Sequence, residues 1–214
     1  MSENFQEKIW SGSFGKEYTD RNTLDLDGVN ELYKNNFGVT RTEMNIEFLN
    51  WLDRDVKILE VGSNTGNQLL LLQAMGFENL YGIELQYYAT EIAKERTKEI
   101  NIIQGSAFDI PFKNGYFDLV FTSGVLIHIS PDNLSKALGE INRCSKKLIW
   151  GFEYFAEQTT EISYRGNNSL LWKTNYSELY LKTFPALKLL KEKKYRYLSG
   201  RNVDAMFLLE KEQL

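Results

Sequence analysis

The chain has 214 residues, which suits one domain with a sizeable core. Its net charge of -4 gives no electrostatic reason to seek nucleic acid, because phosphate binding rests on lysine and arginine clusters. The single cysteine, Cys144, excludes an intrachain disulfide and reads as a small core residue, in keeping with a reducing cytosol. No apolar run reaches the length of a membrane span, and the start of the chain lacks an apolar signal core. The expectation is a cytoplasmic monomer or homodimer that binds neither membrane nor nucleic acid.

The first 50 residues lack strand patterns. "FQEKIWSGSFGKEYTDRN" mixes aromatic, glycine and charged residues, as a lid would. "VNELYKNNFG" and "RTEMNIEFLNWL" read as helices, with Met44, Phe48, Trp51 and Leu52 on one face at 3.6 spacing. "VKILEVG" then reads as a buried parallel strand entering a tight turn, and "NQLLLLQAM" as the helix after it, capped by Gly76.

That alternation repeats. "NLYGIEL" is a strand, "QYYATEIAKERTKEI" a helix and "NIIQGSA" a third strand. "YFDLVFTSGVL" is the fourth strand, "SPDNLSKALGEINRCS" a helix with Ser130 as N-cap and Pro131 in its first turn, and "KKLIWGFEYF" the fifth strand. Alternation of this kind predicts a parallel sheet covered on both faces. After Phe152 it stops, and residues 156–184 look polar, aromatic and irregular. "ALKLLKEKKYRYL" and "VDAMFLLEK" then predict an antiparallel hairpin at the sheet edge, with the lysines of the first on a solvated face.

The turn after the first strand carries the chemical signal. It offers Glu60, Gly62, Ser63, Asn64, Thr65 and Gly66, and a second acid, Glu84, ends the next strand beside Leu85. Such a turn faces the crevice at the carboxyl ends of the strands, where open α/β sheets bind ligands. Glu84 stands where a carboxylate accepts both ribose hydroxyls of an adenosine. A dinucleotide fingerprint needs a glycine two residues after Gly62, and Asn64 stands there instead. A P-loop needs a Lys-Ser/Thr pair that the turn lacks. S-adenosylmethionine (SAM) has no phosphate to cradle, and its ammonium and sulfonium suit Glu60. The expected cofactor is therefore SAM, with no metal.

"ILEVGSNTGNQL", "YGIELQ" and "SAFDIPFKNGYFDLVFTSGVLIHI" resemble class I SAM-dependent methyltransferases over roughly residues 40–150. The flanks "IWSGSFGKEYTDRN" and "YRGNNSLLWKTNY" resemble the methylases associated with pseudaminic acid biosynthesis. The resemblance implies a Rossmann-like α/β fold: a mostly parallel seven-stranded sheet, helices on both faces and an antiparallel C-terminal hairpin. It divides a single domain into an N-terminal helical lid (1–50), a SAM-binding core (51–151), a substrate insertion (152–180) and C-terminal strands (181–214). It places Ser106 and Ala107 beside the adenine, with Asp109 as an alternative, and Thr122, Ser123 and Gly124 beside the sulfonium. The acceptor it implies is a small molecule: a nonulosonic (sugar) acid, its nucleotide-activated form or a precursor.

Two residues are candidate bases. His128, the only histidine, follows the fourth strand and serves either as a proton acceptor or as a structural group bonded to a loop carbonyl. Glu153 ends the fifth strand. Tyr18, Arg21 and Asn22 are candidate substrate contacts in the lid, Arg21 for a carboxylate unless it pairs with Asp20 or Asp25. Tyr154, Arg165, Asn167, Trp172 and Lys173 are their counterparts after the fifth strand, unless Trp172 simply packs inward. O- and N-methylation both stay open, as do another small metabolite as acceptor and a non-catalytic SAM-binding role.

Overall fold

The computed structural model describes residues 5–212. The outermost ends of the first and last expected segments lie outside the described residues. Among the described residues, nine strands and eight α-helices follow one another as α1 (Phe5–Ser11), α2 (Ser13–Asn22), α3 (Leu26–Phe37), α4 (Arg41–Leu49), β1 (Lys57–Val61), α5 (Asn67–Ala74), β2 (Asn79–Glu84), α6 (Tyr87–Arg96), β3 (Asn101–Gln104), β4 (Phe117–Ser123), α7 (Pro131–Cys144), β5 (Ser145–Tyr154), β6 (Thr160–Glu161), β7 (Trp172–Lys173), α8 (Tyr176–Thr183), β8 (Leu187–Arg196) and β9 (Val203–Lys211). A seven-stranded sheet runs in the order β3-β2-β1-β4-β5-β9-β8. Its first five strands are parallel, whereas β9 pairs antiparallel with both β5 and β8.

Apolar periodicity sets the layers. Met44, Phe48 and Leu49 of α4, Leu69 and Leu72 of α5 and Ala93 of α6 pack with Ile58, Phe121 and Trp150 on one face of the sheet. Ala137, Leu138 and Ile141 of α7 and Tyr176 and Tyr180 of α8 cover the other face, against Leu59, Val120 and Ile149. Cys144 is fully buried in that second layer. Helix α4 starts with a reciprocal capping box between Thr40 and Glu43. Helix α5 ends at Ala74 and the chain leaves it through Gly76, with φ 93°.

Three expectations need correction. Trp51 is 56% exposed, because α4 stops at Leu49 and the helical period no longer governs it. The second parallel helix ends at Arg96, three residues before Glu99 adopts φ 61°, and Thr97 returns its hydroxyl to the Ala93 carbonyl at 2.7 Å. The stretch expected as irregular holds the short β6–β7 ladder and helix α8, whose N-cap Asn175 accepts from the Glu178 N–H. The aromatic N-terminal stretch, expected to be helical, forms two short helices, α1 and α2.

Candidate functional site

A cavity of about 400 Å³ opens at the carboxyl ends of β1, β2, β4, β5 and the start of β9. That volume lies in the range of small-molecule sites. Helices α1, α2 and α3 roof it through Trp10, Tyr18, Asn22 and Tyr33.

The β1–α5 turn is closed onto itself. Gly62 and Ser63 donate their N–H groups to the Ile83 carbonyl at 2.8 and 3.0 Å, and Gly66 donates to the Ser63 carbonyl at 2.8 Å. Asn64 N–H donates to Glu84 Oε2 at 2.8 Å, and Thr65 N–H to the Asn64 side-chain oxygen at 2.8 Å. Every N–H from Gly62 to Gly66 is thus already committed. No lysine or arginine lines the cavity among the described residues. A pyrophosphate finds neither free N–H groups nor a counter-charge here.

A sulfonium nucleoside fits better. Glu84 sits at the end of β2 and its Oε1 accepts from Gln86 N–H at 2.7 Å. Each of its carboxylate oxygens keeps a further lone pair, enough to accept ribose hydroxyls. Burial raises its pKa, against the pull of the Gln86 and Asn64 N–H groups. Glu60 is 2% exposed, lines the cavity, and its Oε2 has no hydrogen-bond partner. Burial pushes the Glu60 pKa well up, the nearby Arg41 cation opposes this, and Glu84 adds to it. A buried acceptor without a donor calls for a donor from a ligand, and an ammonium supplies one. Gly62, at φ 75°, forms the close approach: a Cβ there would stand 2.6 Å from Val125 Cγ2.

The other expected cofactor contacts divide. Ser63, Asn64, Leu85, Ser106, Ala107, Ser123 and Gly124 line the cavity. Ser106 Oγ donates to Glu7 at 2.5 Å and accepts from Phe108 N–H at 3.1 Å. Thr65, Gly66 and Thr122 stand behind the wall. Thr65 Oγ1 accepts from Arg96 at 2.6 Å, Gly66 caps α5, and Thr122 bonds to Glu153. Asp109 lies off the cavity, in a bridge with Ser106.

His128 ends a 3₁₀ turn, Leu126–His128, and its Nδ1 lies 2.7 Å from the Leu170 carbonyl. A carbonyl only accepts, so Nδ1 carries the proton and Nε2 keeps its lone pair. Burial lowers its pKa to about 4, which keeps the ring neutral near pH 7. Its ring packs 4.4 Å from Trp10 and 5.3 Å from Tyr164. Glu153, 1% exposed, accepts from Val125 N–H at 3.2 Å, and burial raises its pKa to about 7. Both candidate bases line the cavity.

Of the expected substrate residues, Tyr18, Asn22 and Tyr154 line the cavity. Arg21 does not: it pairs with Glu17 at 3.7 Å, one turn back on α2, rather than with Asp20 or Asp25. Arg165 and Asn167 form the exposed turn of a β-bridge, where Arg165 adopts φ 50° and stacks on Tyr164. Trp172 packs inward at 7% exposure, and its carbonyl accepts from Tyr176 at 3.0 Å. Lys173 also lies off the lining and donates to Asn202 at 2.6 Å. In place of these residues, Tyr33, Phe37, Tyr164, Tyr197 and Asp204 reach the cavity. Only Asp204 carried a signal in the sequence, as a lone acid within the apolar run "VDAMFLL".

The fold is the Rossmann-like α/β arrangement that solved methyltransferases share. Residues 59–148 match the family described as a methyltransferase domain. An uncharacterized methyltransferase of Staphylococcus carnosus is 32% identical over 123 residues, covering 58% of this chain and 56% of that relative. The chain thus spans about half the length of the curated relative it matches. Among solved structures, the Burkholderia thailandensis 1,6-didemethyltoxoflavin-N1-methyltransferase aligns with TM-score 0.73 at 12% identity, covering 100% of this chain and 92% of that one. That enzyme was crystallised with bound 1,6-didemethyltoxoflavin and S-adenosylhomocysteine. A Pyrococcus horikoshii protein aligns with TM-score 0.67 at 16% identity, over 98% of this chain and 100% of that one. Among the described residues no helix is long and apolar enough to cross a membrane, and no group of three or more His, Cys, Asp or Glu side chains is placed to hold a metal ion.

Proposed function

We propose that the protein is a SAM-dependent methyltransferase acting on an oxygen or nitrogen of a small molecule. The observation that carries this reading is the closed β1–α5 turn beside two buried cavity acids, Glu60 and Glu84. It refuses phosphate and favours a cationic nucleoside. SAM supplies an activated methyl group when bound. The chain's own part is to align the acceptor, exclude water and receive a proton. Trp10 and Tyr18 exclude water from above. Neutral His128 Nε2 and Glu153 are the candidate groups to take that proton.

The resemblance of the flanks to pseudaminic acid-associated methylases supports a finer reading, a nonulosonic acid or a precursor as acceptor. The cavity lining bears on which form. A free sugar carboxylate needs a cation, and the described lining has none. Amino-sugar precursors do not have that need. Incubation with methyl-labelled SAM, CMP-pseudaminic acid and its amino-sugar precursors tests the reading by mass spectrometry. One added methyl group on any of these supports it. Methylation of unrelated metabolites alone removes the sugar assignment, and no methylation with any acceptor removes the catalytic one.

A further inference from the structure

Beyond β5, the cavity ends in an acid that neither the cofactor nor the candidate bases account for. Asp204 is 2% exposed and lies on the cavity wall. Its Oδ2 accepts from the Tyr197 hydroxyl at 3.2 Å, and its Oδ1 has no hydrogen-bond partner. In the β5–β9 register Asp204 stands opposite Tyr154, so the two side chains share the α3 face of the sheet.

Aromatic rings wall this end. Phe37 lies 4.6 Å from Tyr197 and 5.8 Å from Phe152. Tyr33 lies 5.6 Å from Phe152, and Tyr154 lies 6.3 Å from Tyr197. Two cations are near without bonding to the carboxylate. Lys173 sits over the Tyr154 ring at 5.2 Å and donates to Asn202. Arg41 is fully buried behind Tyr33 and Phe152, and donates to Asn45 and Tyr33. A carboxylate buried this deeply, with an oxygen unpaired, is costly in the empty protein. Burial, reinforced by the charge of Glu153, accordingly holds its pKa near 7.

A free carboxylate oxygen on a cavity wall shared with five aromatic rings matches one chemistry. An ammonium group satisfies the oxygen with an N–H and rests its charge on the ring faces. An anion is repelled, and a neutral hydroxyl leaves the charge uncompensated. This end of the cavity also lies apart from the cofactor turn. β9 is three strands from β1, about 14 Å at ordinary strand spacing.

We propose that Asp204, with Tyr33, Phe37, Phe152, Tyr154 and Tyr197, forms a subsite for an ammonium group carried by the methyl acceptor. The word acceptor rests on the methyltransferase reading; the ammonium subsite does not. The test is a protein-observed NMR titration of the full chain at pH 8 with ethylammonium chloride, with sodium acetate and ethanol as comparison probes. Ethylammonium should saturate with Kd on the order of 1 mM, the ceiling for so small a ligand. Shifts should centre on the Tyr197 and Phe37 rings, and acetate and ethanol should give none. Asp204→Asn should weaken the ethylammonium Kd at least tenfold, and Phe37→Leu several-fold. No saturation by ethylammonium in the wild type, equal affinity in Asp204→Asn, or equal binding of ethanol or acetate overturns the proposal. S-adenosylhomocysteine titrated into the same wild-type sample reports separately. If it fails to bind while ethylammonium saturates, the subsite stands and the methyltransferase reading falls.

Discussion

Gly62→Ala probes the turn most sharply, because two separate costs meet at one atom. The residue sits at φ 75°, which disfavours any side chain by about 1–2 kcal/mol. The new Cβ would also stand 2.6 Å from Val125 Cγ2 and 3.0 Å from Cγ1, where ordinary contact is 3.4–4 Å. Val125 must therefore retreat by nearly an ångström, an overpacking cost of about 1–3 kcal/mol. Together these predict about 2–5 kcal/mol lost, or a melting temperature lower by roughly 5–15 °C. Val125 lines the cavity and donates its N–H to Glu153, so its retreat deforms the wall against which the ligand packs. Calorimetry should show the S-adenosylhomocysteine Kd raised at least tenfold. Adding Val125→Ala removes the clash but not the positive φ. The double variant should recover most of the affinity and only part of the stability. A single variant that melts and binds like the wild type refutes this reasoning, as does a double variant no better than the single.

Three further outcomes follow from the same geometry. Asp204 has a folded-state pKa near 7, above its ordinary 3.8, so the folded chain holds a proton that the unfolded chain has released between those values. Its contribution to stability therefore falls as pH rises through that window, and Asp204→Asn should gain a few kcal/mol over the wild type by pH 8 and nothing below pH 3.8; denaturant melts across pH check this, and a gain independent of pH sinks it. His128 is the opposite case: its pKa near 4 lies below the ordinary 6.5, so stability is lost as pH falls between those values, and His128→Gln should flatten that acid limb in the same melts. Gln86 Nε2 donates to the Trp10, Ser11 and Gly12 carbonyls at 3.2, 2.8 and 2.9 Å, pinning the end of α1 to the core. Gln86→Ala should cost that roof about 1–3 kcal/mol, seen as amide exchange faster by about tenfold or more over residues 5–22 with β1 unchanged; unchanged exchange in the roof would show that the contact is incidental.

The core was readable because period and burial agree there. "VKILEVG" and "YFDLVFTSGVL" are apolar runs that only a strand covered on both faces accommodates, and β1 and β4 occupy the sheet centre. Glu60 and Glu84 were legible as cavity residues because their placement depends on local spacing from a turn. The Asp204 end of the cavity was not, because it is assembled from distant segments. Tyr33 and Phe37 come from α3, Phe152 and Tyr154 from β5, and Tyr197 and Asp204 from the β8–β9 connection and β9 itself. No periodicity links them. Arg21 and Arg165 misled for the converse reason: a carboxylate-binding residue type in a flank says nothing about its direction, and neither side chain lines the cavity, Arg21 pairing with Glu17 and Arg165 stacking on Tyr164. Helix α8 escaped notice although Asn175 and Glu178 form a start signal, since the aromatic run around it masks any 3.6 period.

The claim on which the rest depends is that the β1–α5 turn, with Glu60 and Glu84, takes a cationic nucleoside and refuses a dinucleotide. Isothermal titration of the wild-type chain with S-adenosylhomocysteine and, separately, with NADH measures this directly. The account predicts one saturable site for S-adenosylhomocysteine and no heat of binding with NADH. Silence with S-adenosylhomocysteine, or NADH binding that it cannot displace, would contradict it.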